Sequence, residues 1–254
     1  MKKVLSAVLA GSMLMSMNGF AENVQLKRAD EAKPVRVEKQ EDEPVAVILT
    51  TNPDNEAMYQ LQKYGIIEGD PNGDMRPYDF ITRAEMTKII CKMLSLKIPE
   101  YQASFFEDVS LGDWYFGYVM TAVDNDIVQG ESDGKFNPEK NITYSEVIKM
   151  IVSAMGYAPS AEATGGFPDG YAMCASRLGI TKDVDHALAM ECRRNTVFKM
   201  LNNAFDVPFM LKSGYGDEEE YIIADGSADG IRYVTFRTKI TGNHIIPIEN
   251  HKLD

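Results

Sequence analysis

Thr82-Arg83-Ala84-Glu85 sets a hydroxyl, a guanidinium and a carboxylate close together on the chain. Thr82 and Glu85 have the spacing of a capping box. In that device the Thr hydroxyl accepts from the Glu85 amide and the carboxylate accepts from the Thr82 amide. Their expected work is to start a helix, not to catalyse. Arg83 falls in the first turn of that helix, where a cation opposes the helix dipole. Its presence there favours a ligand role, and it is expected to be dispensable to packing. Arg193 is a second candidate of the same type, with Arg194 beside it. Trp114, the only tryptophan, reads either as core or as a binding surface.

Other chemistry finds less support. Asp70, Asn72 and Asp74 have the spacing that opens an EF-hand calcium loop. The glycine, however, stands at the fourth loop position instead of the sixth, and Ile81 holds the twelfth, where a glutamate is needed. Cys91, Cys174 and Cys192 are odd in number and follow no metal-ligand spacing, and His186, His244 and His251 are scattered. No metal or cofactor site is expected. Buried free thiols are the expected state of Cys91 and Cys174. No nucleophile motif or glycine-rich phosphate loop is present, so no enzyme activity is expected. With 26 Lys+Arg against 38 Asp+Glu, the 254-residue chain carries a formal charge of -12. Such a chain repels phosphate backbones and anionic membrane surfaces, which argues against both as partners.

The candidates are positioned by an internal repeat. Gly65-Ile66-Ile67-Glu68-Gly69-Asp70, Asp74-Met75-Arg76-Pro77 and Ile81-Thr82-Arg83-Ala84-Glu85 form one series. Asp126-Ile127-Val128-Gln129-Gly130-Glu131, Lys135-Phe136-Asn137-Pro138 and Ile142-Thr143-Tyr144-Ser145-Glu146 form another, 61 positions later and without insertion. A third, weaker copy aligns Leu178-Gly179-Ile180 with Tyr64-Gly65-Ile66, and Arg193 with Arg83, through a loop four residues shorter. Each copy reads helix, loop, helix. In the first, Asn55 to Tyr64 is the leading helix and Gly65 its left-handed stop. Asp70-Pro71-Asn72-Gly73 is turn chemistry. Met86, Ile89, Ile90, Met93 and Leu94 then make an apolar face, as do Val147, Met150, Ile151 and Met155 in the second copy. One helix pair cannot close a core, so the three copies should pack together.

The ends differ. Lys2 and Lys3, the uncharged run Val4 to Met17 and Gly19-Phe20-Ala21 predict a cleaved signal peptide over residues 1–21. Residues 22–44 are polar and Pro-containing, a flexible linker. The repeats are expected at 45–98, 99–158 and, degenerate, 159–208. In 209–254, β-prone stretches at Tyr221–Ile223, Ile231–Ile240 and Ile245–Ile248 predict a small β-rich tail or the start of a further domain. The fold class is therefore mainly α, three helix-loop-helix units with a β-rich C-terminal segment.

These motifs resemble the S-layer homology family, whose repeat runs from Phe-x-Asp-Val and Trp to the Ile-Thr-Arg-Ala-Glu block. The first copy keeps the latter half, Gly65 to Glu85. The second adds Phe106-Glu107-Asp108-Val109 and Asp113-Trp114. The third keeps Phe167-Pro168-Asp169 and Asn203 to Pro208. The resemblance implies a pseudo-threefold bundle whose grooves bind a secondary cell-wall polysaccharide, often through a pyruvylated amino sugar. It implies an exported protein of a bacterial cell wall or S-layer, free of the membrane once the signal is cleaved. A guanidinium at a helix start, beside free backbone amides, suits a carboxylate, and an indole suits a sugar face. Arg83, Trp114 and Arg193 are the implied glycan-binding residues. Tyr144 replaces the family arginine in copy two, and Pro53 stands where copy two has Trp114, so one or two working grooves are expected. The alternatives are a calcium-binding module and an extracellular scaffold that binds a protein through its β tail.

Overall fold

The computed structural model describes residues 53–213, 220–227 and 232–242. The expected signal peptide, the linker and the Ile245–Ile248 stretch lie outside the described residues.

The described chain is mainly helical: α1 (Pro53–Lys63), α2 (Arg83–Met93), α3 (Phe116–Asp124), α4 (Tyr144–Ala154), α5 (Ala158–Ala163), α6 (Asp169–Arg177), α7 (Arg194–Ala204) and α8 (Phe236–Thr241), with strands β1 (Met210–Lys212) and β2 (Tyr221–Ile223). The capping boxes form as expected. Thr82 accepts from the Glu85 amide at the start of α2, and Thr143 from the Glu146 amide at the start of α4, each glutamate reaching back to the threonine amide. Gly65 follows α1 at φ 67, a left-handed stop that lets the chain turn into the loop.

Helices pair across copies. α3 packs on α2, α6 on α4, and α1 on α7, so the leading helix of each copy rests on the second helix of the copy before it, and the first copy closes on the third. The apolar faces of all these helices form one buried cluster.

At its centre the three copies exchange backbone hydrogen bonds in a ring. The Ile81 amide donates to the Cys192 carbonyl at 3.2 Å, Cys192 to Ile142 at 2.8 Å, and Ile142 back to Ile81 at 3.0 Å. All three residues are fully buried, so each of these groups needs a partner and finds it in a neighbouring copy. A second set of bonds runs round the copies in the opposite sense. Arg83, Tyr144 and Arg194 donate their amides to Lys140, Met190 and Asp79, and Ala84, Ser145 and Asn195 donate to Pro138, Leu188 and Pro77. These are the first amides of α2, α4 and α7, which would otherwise lack partners.

The ring corrects the register of the third copy. Arg194, not Arg193, makes the bonds that Arg83 makes. Arg193 takes the cap position held by Thr82 and Thr143.

The tail also differs from expectation. β1 and β2 pair antiparallel, but part of the β-prone stretch Ile231–Ile240 is helical. Thr235 caps α8 by accepting from the Thr238 amide, and Gly242 ends it at φ 66. Local capping outweighs the β preference of the residues between. Phe236 is fully buried against Phe209, and α8 packs on α2. The strand β1 and α8 thus join the helical body, the Met210 amide donating to the Met155 carbonyl and the Arg237 amide to the Phe205 carbonyl.

Candidate functional site

Among the described residues two grooves open between copies, and a further one lies within copy three. The first, about 250 Å³, lies between the loop after α1 and helix α2, with Trp114 on one wall and Arg194 at its base. The second, about 470 Å³, lies between the loop after α3 and helix α4, with Phe167 and Tyr171 on one wall and Arg83 at its base. The third, about 200 Å³, is bordered by Asp183, Asp185, His186 and Lys199.

The two larger grooves are built from matching parts. Arg83 reaches from copy one into the second groove. Its Nε donates to the Phe136 carbonyl at 2.9 Å, Nη2 to the Gln129 carbonyl at 3.2 Å, and Nη1 lies 3.3 Å from Glu146 Oε1. Its guanidinium carbon stands 4.8 Å from the Phe136 ring centre. Arg194 reaches from copy three into the first groove, donating from Nε to the Met75 carbonyl at 2.9 Å and pairing with Glu85 at 3.0 Å. Both are buried, at 8% and 6% exposure. Burial holds the Arg194 pKa below its ordinary value, opposed by Glu85.

A lysine and an aromatic ring complete each set. Lys88 Nζ lies 5.7 Å from the centre of Trp114, and Lys149 Nζ lies 5.3 Å from Phe167 and 5.8 Å from Tyr171. Trp114 and Phe167 each stand two residues before a leading helix, α3 and α6. Both are about half exposed, so their rings are available at the groove wall. Tyr171 donates its hydroxyl to Glu162 at 2.9 Å. Burial, reinforced by that carboxylate, pushes its phenol up to about 12.

The sequence-derived candidates therefore separate. Arg83 and Trp114 lie in adjacent grooves, not in one. Arg193 lines none of the three grooves described; it is exposed, stacks over Phe80 at 4.7 Å and donates to the Tyr78 carbonyl. Arg83 is not a solvated first-turn residue. It is buried and ties copy one to copy two. Nor are there free amides beside it, because neighbouring carbonyls take the first two amides of α2 and Thr82 takes the third. Lys88 and Lys149 were not singled out from sequence. Their signal was there: they stand 61 positions apart, and Lys199 holds the same place in α7.

Tyr144 is buried where Arg83 and Arg194 stand in the other copies, and its ring lies 5.5 Å from His186. The calcium-like spacing serves turns: Asp70 Oδ1 accepts from the amides of Asn72 and Asp74, at 2.8 and 3.1 Å. Among the described residues no group of three or more His, Cys, Asp or Glu could hold a metal, and no helix is long and apolar enough to cross a membrane.

The model of the S-layer homology domain matches residues 51–87 and 105–148. The chain is 30% identical over 228 residues to a surface layer protein of Brevibacillus choshinensis, and 29% identical over 221 residues to the middle cell wall protein of Brevibacillus brevis. These alignments cover 89% and 86% of this chain but 19% of each relative. A shorter match, 36% over 90 residues, covers 35% of this chain and 8% of an exoglucanase of Acetivibrio thermocellus.

Proposed function

This chain belongs to the S-layer homology family and to the bacterial cell surface, and on that premise we propose that it is a non-covalent anchor. It holds an acidic secondary polysaccharide of the cell wall in grooves between its repeats. Three copies over 45–98, 99–158 and 159–208 surround a pseudo-threefold axis, a reading supported by the backbone ring through Ile81, Ile142 and Cys192 and by the closure of α1 on α7.

The observation that carries the glycan reading is the recurrence of one chemical set. A buried arginine, a lysine and a half-exposed aromatic ring line both larger grooves. A ring offers its face to the C–H face of a sugar, and a lysine offers three donors to a carboxylate. Arg83 and Arg194, each paired with a glutamate, fix the groove base in shape. Arg193 has no part in this reading. The third groove, lined by Asp183, Asp185 and His186 with no arginine, is the weak one.

An anchor needs no catalyst. Segments similar to this chain occur in proteins named as surface layer protein and as exoglucanase, which fits a module that carries different attachments.

The test is co-sedimentation of the purified protein with wall sacculi, before and after acid extraction of their secondary polymers. Binding should be lost on extraction and reduced in Lys149→Ala. Equal binding to extracted sacculi would refute the reading.

A further inference from the structure

We propose that Glu68 is a tethered occupant of the first groove: its carboxylate fills the anion position between Lys88 and Lys92, closing that groove to acidic sugars and leaving the second as the resting binding site. This rests on the glycan reading above and adds a difference in competence between the two grooves.

Glu68 Oε1 lies 2.6 Å from Lys92 Nζ, and Oε2 lies 3.7 Å from Lys88 Nζ. Lys92 also donates to the Gly65 carbonyl at 3.1 Å. One carboxylate thus faces both groove lysines. The Glu68 side chain is 64% exposed, so packing does not force it there; the two cations draw it. The Lys92 hydrogen bond holds the Glu68 carboxyl below its ordinary pKa, so it is ionised at neutral pH.

The second groove lacks this occupant. At the position 61 residues after Glu68 stands Gln129, an amide with no charge. Lys149, the counterpart of Lys88, makes no ion pair with any described carboxylate; it lies over Phe167 and Tyr171, in a groove that Glu131, Glu146 and Glu162 also line. Buried arginine, Lys88 or Lys149 and aromatic wall are the same kind in both, while Ser153 stands in the second groove where Lys92 stands in the first. An incoming carboxylate meets an unpaired ammonium in the second groove. In the first it must displace a carboxylate on the same chain, present at high effective concentration.

The single tryptophan makes the test specific, because Trp114 lines the first groove. The probe is the methyl glycoside of an N-acetylated amino sugar carrying a pyruvate ketal, titrated into the full chain. Calorimetry reads total binding, and the indole N–H resonance of Trp114 reads the first groove. In the unsubstituted protein one calorimetric site is expected, with the indole resonance unmoved until at least about tenfold higher probe, as removal of a charged hydrogen-bond competitor is worth that much. Glu68→Gln should bring the indole shift into the range of the first site and raise the stoichiometry to two. Lys149→Ala should remove the original site and leave the Trp114 response as it was. Indole shifts with the same midpoint in the unsubstituted and Glu68→Gln proteins would overturn the proposal alone. Absence of heat and of shifts in every variant would overturn the glycan reading, and this inference with it.

Discussion

The guanidinium of Arg83 lies 3.3 Å from the carboxylate of Glu146, so the residue that caps α4 is also the counter-ion of an arginine from the preceding copy. Arg194 and Glu85 repeat the relation one interface away. Each glutamate starts its own helix and fixes the neighbouring copy against it.

Arg83→Ala should therefore destabilise the fold. It removes bonds to two backbone carbonyls and leaves Glu146 with less compensation in a largely buried site. The expected cost is about 3 kcal/mol, which for a unit of this size lowers Tm by roughly 6–12 °C. Arg83→Lys should recover only part, because an ammonium cannot span both carbonyls and the carboxylate. Thermal melts followed by circular dichroism would check this. An unchanged midpoint in Arg83→Ala would show that the interface does not depend on it.

The neighbouring arginines of copy three make a sharper contrast. Arg194 is buried and bonded like Arg83, and its loss should cost a similar amount. Arg193 is exposed and rests on Phe80, a contact worth no more than about 1 kcal/mol. Urea denaturation of Arg193→Ala and Arg194→Ala should separate them clearly. Equal losses would contradict the register set by the backbone ring.

The duplication, both capping boxes and the stop at Gly65 were legible because they are local: spacing and residue type fix them. The register of copy three was not. It lacks the Thr and Glu of the box and offers two adjacent arginines, so only a long-range bond, Arg194 amide to Asp79 carbonyl, tells them apart. The same holds for the helix N-termini. A sequence shows that α2 begins at Arg83 but not that Lys140 and Pro138 will take its first amides. Which groove each candidate enters follows from pairing across copies, so Arg83 and Trp114 line different grooves. Helix α8 was missed because Thr235 and Gly242 bound a stretch that reads as strand.

The three cysteines are buried and free. Desolvation pushes Cys91 and Cys192 up to about 12, from an ordinary value of 9.0. A thiol whose folded pKa is raised adds stability that is complete below its unfolded pKa and is lost as pH climbs towards the folded one. Stability should thus hold to about pH 9 and fall between roughly 9 and 12, with buried Tyr157, also pushed up to about 12, acting in the same sense. At pH 8 a disulfide exchange reagent should label native protein slowly and label three thiols in denaturant. Fast labelling of folded protein would place a cysteine at the surface.

The tail gives the last prediction. Phe236 is fully buried, edge-on to Phe209 with ring centres 5.0 Å apart, inside the same cluster as the repeat helices. Arg237, beside it, holds Asp206 at 2.6 Å and donates to the Tyr64 hydroxyl at 3.0 Å, linking α8 to the end of copy three and to copy one. An element so placed should unfold with the repeats. Phe236→Ala is expected to cost about 3–5 kcal/mol and to move one cooperative transition to lower urea. Ile223→Ala, at an exposed strand position, should change stability by less than about 1 kcal/mol. The check is urea denaturation read by both far-ultraviolet circular dichroism and Trp114 emission. If Phe236→Ala instead produced an early, separate transition with the Trp114 midpoint unmoved, the tail would be an independent appendage and not part of the repeat core.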